Sequence, residues 1–184
     1  MTPAAHGDIG APRSRGPSRG TPYRLVVLGT DAAEVVSVAA GVIYDSTSTG
    51  WQVDVHLEHD GHPRALSILG TRSRPLPEVL ELETDCPDVV LLGASLIERH
   101  QPIHRLATSL TRHRRSDVAV WGTAALPPQL DMSMCFDYRL STAAMAFKRQ
   151  ALAAAGLADG TTDIETFRRG RRSMTAVPPF ESSA

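Results

Sequence analysis

Residues 87–123 read PDVVLLGASLIERHQPIHRLATSLTRHRRSDVAVWGT, and this stretch decides the fold. Asp88–Leu92 is a continuous apolar run, as expected for a strand covered on both faces. A helical stretch follows from about Pro102, a residue suited to a first helical turn, to Arg114. Val118–Trp121 is then a second buried strand. Strand, helix and strand in this order require a parallel crossover.

The same alternation extends outward. Arg24–Leu28 (RLVVL) is another buried strand, and Asp31 three residues before Glu34 opens a helix running to about Asp45 in capping-box fashion. Trp51–Leu57 alternates apolar and polar residues. Asp60-Gly61 is a hairpin signal, so Ala65–Leu69 (ALSIL) reads as a returning strand. Pro77 to Glu83 is a short helix candidate. Phe136–Leu140 is a last strand, followed by a helix capped by Ser141 or Thr142 and closed at Gly156. The expected architecture is a flavodoxin-like α/β three-layer sandwich around a mainly parallel five-stranded sheet, with an extra β-hairpin. The domain spans Tyr23–Gly156. Residues 1–22, rich in Gly, Pro, Ser and Arg, and residues 157–184, without sustained periodicity, read as disordered or flexible tails.

Composition narrows the function classes. The chain has 184 residues, 42% hydrophobic and 21% charged, with 19 basic residues against 20 acidic ones. A net charge of -1 gives no general attraction to nucleic acid, and Lys148 is the one lysine. Two cysteines, Cys86 and Cys135, exclude a disulfide scaffold and a four-cysteine zinc site. No apolar run reaches the roughly 20 residues that span a bilayer, and residues 1–22 lack a signal-peptide core, so a cytoplasmic location is expected.

In parallel α/β sheets, ligands bind outside the carboxyl ends of the strands. The loops there carry Gly29-Thr30-Asp31, Gly93-Ala94-Ser95, Gly122-Thr123 and Ser141. Glycine lets a ligand approach the backbone, and hydroxyls and a carboxylate supply contacts. Small residues also suit βα turns for capping and packing alone. The candidate ligand-binding set is therefore Gly29, Thr30, Asp31, Gly93, Ser95, Gly122, Thr123 and Ser141. No catalytic nucleophile–base pair and no metal cluster can be read. His56, His59 and His62 read as a solvated hairpin tip, and His100 and His104 as surface residues.

Leu69-Gly70, Pro75 to Glu83, Pro87-Asp88-Val89-Val90, Ala94-Ser95-Leu96, Pro102 to Arg114 and Trp121-Gly122-Thr123 follow one another in an order that resembles the cobalamin (B12)-binding domains of methyltransferases and light-sensing regulators. The resemblance implies a flavodoxin-like fold and cobalamin as cofactor. That family's first loop carries Asp-x-His-x-x-Gly, whereas here residues 29–35 read GTDAAEV with no axial histidine. The chain also resembles receiver domains. Their phosphoacceptor aspartate corresponds to Gly93, their acidic pair to Gly29 and Thr30, and their lysine to Ser141, which implies a pseudo-receiver. Both resemblances imply a non-catalytic regulatory module that binds a small molecule or a partner protein. A cobalamin-dependent methyltransferase accessory is the enzyme-linked alternative. Arg168–Arg172 leaves contact with nucleic acid or an acidic partner open.

Overall fold

The computed structural model describes residues 22–76 and 86–170. The tails at 1–21 and 171–184 and the helix expected at Pro77–Glu83 lie outside these residues. The elements are β1 (Arg24–Gly29), α1 (Ala32–Ser48), β2 (Gln52–Leu57), α2 (Pro63–Ile68), β3 (Ser73–Pro75), β4 (Val89–Gly93), α3 (Ala94–Arg99), α4 (Gln101–His113), β5 (Asp117–Trp121), β6 (Met134–Arg139), α5 (Thr142–Ala154) and β7 (Ile164–Arg169).

The sheet is mixed and mostly parallel, with seven strands in the order β3-β2-β1-β4-β5-β7-β6. Strands β1 to β5 pair in parallel, whereas β7 is antiparallel to both β5 and β6. Five strands were expected. Two strands lie beyond the expected five, the first at an edge of the sheet and the second between β5 and β6. One is the short edge strand β3. The other is β7, drawn from residues expected to form a flexible tail.

Alternation in the central strands builds two cores. Leu25 and Val27 of β1 face one side with Val89 and Leu91 of β4, while Val26 and Leu28 face the other with Val90 and Leu92. Helices α1, α2 and α5 cover the first face, and α3 and α4 cover the second. All five residues of β4 are buried, which is why its sequence is uninterruptedly apolar.

The expected hairpin is instead a strand followed by a helix. Pro63 occupies the first turn of α2, and Ala65, Leu66 and Leu69 are fully buried while Ser67 is exposed. That spacing is helical, so ALSIL packs one helical face on the core. Strand β7 carries alternation that the sequence disguises. Glu165 and Phe167 point inward, at 3% and 1% exposure, and Thr166 points out. A buried glutamate hides the period. Its carboxylate accepts Lys148 Nζ at 2.7 Å, Gly41 N at 2.8 Å and Val42 N at 3.1 Å, so every donor that the burial demands is supplied. Burial pushes the Glu165 carboxyl above its ordinary range, while the Lys148 charge and the two amides pull it back.

Candidate functional site at the carboxyl ends of the strands

Four parallel strands end at one border of the sheet. Gly29 pairs with Leu57, Leu28 with Leu92, and Gly93 with Trp121. The glycines at this border serve a purpose other than the expected one. A Cβ on Gly29 would lie 2.3 Å from Val35 Cγ2, and one on Gly93 would lie 3.4 Å from the Trp121 ring. The Trp121 indole lies against both glycine positions, is 3% exposed, and donates from Nε1 to Glu34 Oε1 at 3.1 Å. The glycines thus make room for protein side chains, and part of the crevice is filled by an indole.

Asp31 is the helix cap. Its Oδ1 accepts Glu34 N at 2.8 Å, and Glu34 Oε2 reaches back to accept Thr30 N, one residue before the cap, at 2.8 Å. Gly122 adopts φ +92°, which glycine tolerates, and its carbonyl accepts Arg168 Nη2 at 2.7 Å. Thr123 is exposed on the same loop. Ser141 does not join the group. It caps α5 and donates to Asp45 Oδ1 at 2.6 Å, 14 residues beyond Asp31 and about 21 Å further along α1. The arginine segment is also partly committed: Arg168 holds the Gly122 and Ala124 carbonyls, and Arg169 lies 4.9 Å from the Phe136 ring centre.

Thr30 and Ser95 do meet, with their hydroxyls 3.5 Å apart. Around them stand three charged or titratable groups that the sequence reading left out. Glu58 follows β2 directly, Arg99 is the last residue of α3, and His100 is the single residue between α3 and α4. Glu58 Oε1 lies 2.8 Å from His100 Nε2, and Oε2 accepts Arg99 Nη2 at 2.6 Å. Arg99 Nη2 also lies 3.4 Å from Thr30 Oγ1. A polar chain His100–Glu58–Arg99–Thr30–Ser95 therefore crosses the ends of β2, β1 and β4. Partial desolvation raises the Glu58 carboxyl, but hydrogen bonds from His100 and Arg99 and their charges bring it net below its ordinary range. Glu58 is thus a carboxylate that orients its neighbours.

This chain is hidden from sequence reasoning, because Glu58 falls within the His56–His62 span that reads as a hairpin tip and His100 reads as a surface residue. The usable signal was Pro102, which set His100 just ahead of a helix at a strand-end loop. His56, by contrast, sits within β2 with Nδ1 3.2 Å from the Pro75 carbonyl, and His59 is largely exposed. Among the described residues, no group of three His, Cys, Asp or Glu side chains converges as a metal site would require. This donor set does not fit a protein-held metal.

No protein-family model matches the chain, and no curated protein matches it. Solved structures do share its fold. The deacetylase of the teicoplanin biosynthetic pathway, as a triple mutant, superposes with a TM-score of 0.56 at 12% identity, covering 79% of this chain and 97% of that one. The A40926 pseudoaglycone deacetylase superposes at 0.57 with 15% identity, covering 81% and 97%. A conserved protein from Thermus thermophilus gives 0.51 with 16% identity, covering 84% and 97%. Identity this low establishes a shared fold. These neighbours are neither cobalamin-binding nor receiver domains, so both resemblances drawn from the sequence are corrected. The elements behind them, a buried strand, a Gly-Ala-Ser turn and a Pro-started helix, belong to parallel α/β sheets in general. The expectation of a non-catalytic regulatory module falls with them, since named neighbours of this fold are enzymes. Among the described residues, no helix is long and apolar enough to cross a membrane.

Proposed function

We propose that this chain is a deacylase-type hydrolase that cleaves an acyl amide on a small polar substrate at the carboxyl ends of its strands. The observation that carries this reading is the Glu58–His100 contact at 2.8 Å beside Arg99, Thr30 and Ser95. The shared fold with the teicoplanin and A40926 deacetylases supports it. A cytoplasmic workplace belongs to the same proposal.

The chemistry follows from the hydrogen bonds. A carboxylate facing His100 Nε2 favours the tautomer with its proton there, which leaves Nδ1 as the basic nitrogen. His100 Nδ1 takes a proton from water as the water oxygen bonds to the acyl carbon. The Arg99 guanidinium and the Thr30 and Ser95 hydroxyls offer donors to the oxygen that becomes negative. The C–N bond then breaks, His100 returns the proton to the departing nitrogen, and a carboxylic acid and an amine leave, the acid then passing its proton to the amine or to solvent. Removing a positioned base costs roughly 10²–10⁴ in rate.

The test is acetate release from a panel of N-acetylated amino sugars and amino acids, followed by proton NMR. The wild-type chain is expected to release acetate from at least one member, and His100→Gln to lower kcat at least 100-fold while the fold stays intact. Absence of acetate from every substrate, or full activity in His100→Gln, would overturn the reading.

A further inference from the structure

A second site lies at the opposite flank of β2. A depression of about 700 Å³ is lined by Asp54, Ser67, Thr71, Arg72, Ser73 and Arg74, among others. Asp54 and Glu58 are four strand positions apart, so the depression lies about 13 Å from the polar chain. We propose that it binds the phosphoryl group of a small phosphorylated molecule or of free phosphate.

Gly70 adopts φ +83°, which turns the chain sharply out of α2 and into β3. Arg74 lies within β3 and Arg72 directly precedes it, and both line the depression. Both are exposed, and neither guanidinium has a partner among the described residues. The carboxylate that lines the depression is already answered: Asp54 Oδ2 accepts Arg24 Nε at 3.1 Å and Gln52 Nε2 at 3.1 Å. Thr71 Oγ1 donates to the Val53 carbonyl and Ser67 Oγ to the Pro63 carbonyl, so neither hydroxyl competes for a cation. Among the described residues, two guanidiniums without a partner remain as donors.

That donor set selects for shape as well as charge. A carboxylate offers one plane and fits one guanidinium fork, whereas a tetrahedral dianion accepts forks from two directions at once. Two arginines lining one depression therefore favour a phosphoryl group over a carboxylate.

Calorimetric titration at low salt with inorganic phosphate, glucose 6-phosphate and acetate tests the site, because it reads binding without any turnover. Phosphate binding is expected at about 1 mM, with acetate at least tenfold weaker. Glucose 6-phosphate tighter than phosphate marks a phosphorylated metabolite as the occupant, and equal affinity marks the phosphoryl group alone. Arg72→Ala and Arg74→Ala should each weaken phosphate about tenfold, and Arg112→Ala/Arg114→Ala, which removes two positive charges elsewhere, should not. In the wild-type chain, NMR amide shifts at Thr71, Arg72 and Ser73 should move with phosphate. No phosphate binding, equal acetate affinity, or equal weakening by the Arg112/Arg114 pair would overturn the proposal. Failure of acetate release would leave it standing.

Discussion

The two halves of the sheet are held by different means. In β1, β4 and β5 the inward residues are aliphatic, apart from Trp121, and burial of apolar surface supplies the cohesion at roughly 25 cal/mol per Å². In β6 and β7 carboxylate-centred hydrogen bonds join the apolar packing of Phe136, Tyr138 and Phe167. Glu165 joins β7 to α5 through Lys148 and to α1 through Gly41 and Val42, and Asp45 receives Tyr138 Oη at 2.8 Å and Ser141 Oγ at 2.6 Å. Apolar contacts tolerate small slips of one element past another, whereas hydrogen bonds to a single carboxylate do not. The comparison teaches that the C-terminal strands are set in register by two carboxylates reaching α1, on a sheet that greasy strands hold together.

The largest expected effect breaks that contrast at its centre. Lys148→Ala leaves the Glu165 charge buried without its counter-ion, and should cost about 3–5 kcal/mol in urea unfolding. Lys148→Met/Glu165→Leu, which removes both charges, should recover much of the loss. A single substitution without measurable cost would show that the pair does not anchor β7. Next in size is Gly41→Ala. Its Cβ would sit 2.2 Å from Leu140 Cγ, and the overpacking should cost about 1–3 kcal/mol in the same measurement.

A smaller effect sharpens the contrast through pH. Burial pushes Asp117, at the start of β5, up to about 6 against the pull of Arg169. Its carboxyl holds a proton in the folded state through a range where the unfolded chain has lost it. Stability should therefore fall as pH rises from about 4 to about 6, and Asp117→Asn should remove that fall from a series of urea curves. Glu58 works in the opposite sense. Its lowered value contributes stability above the ordinary carboxylate range, and that contribution is lost as pH falls.

The same contrast explains what was legible in the sequence. Arg24–Leu28, Asp88–Leu92 and Val118–Trp121 announce buried strands because each carries four consecutive apolar residues, and Asp31 and Ser141 mark true caps. Strand β7 was hidden because one of its two inward residues is a glutamate whose partner lies 17 positions earlier. Helix α2 was hidden because Asp60-Gly61, a strong turn signal, precedes a run too short to separate a helical face from a strand. Of the candidate site, Thr30 and Ser95 were legible as strand-end hydroxyls. Glu58, Arg99 and His100 were not, because their meeting depends on β2 and the α3–α4 joint coming together across 41 or more residues. The strand-end glycines were read for the wrong purpose, since no local pattern tells a glycine that admits a ligand from one that admits Trp121.

The most direct measurement is a double-mutant cycle on acetate release with Glu58→Gln, His100→Gln and the pair. If Glu58 acts by orienting His100, the second substitution should add almost nothing to the loss in kcat/KM caused by His100→Gln alone. Fully additive losses would contradict the account, because the carboxylate and the imidazole would then be working apart.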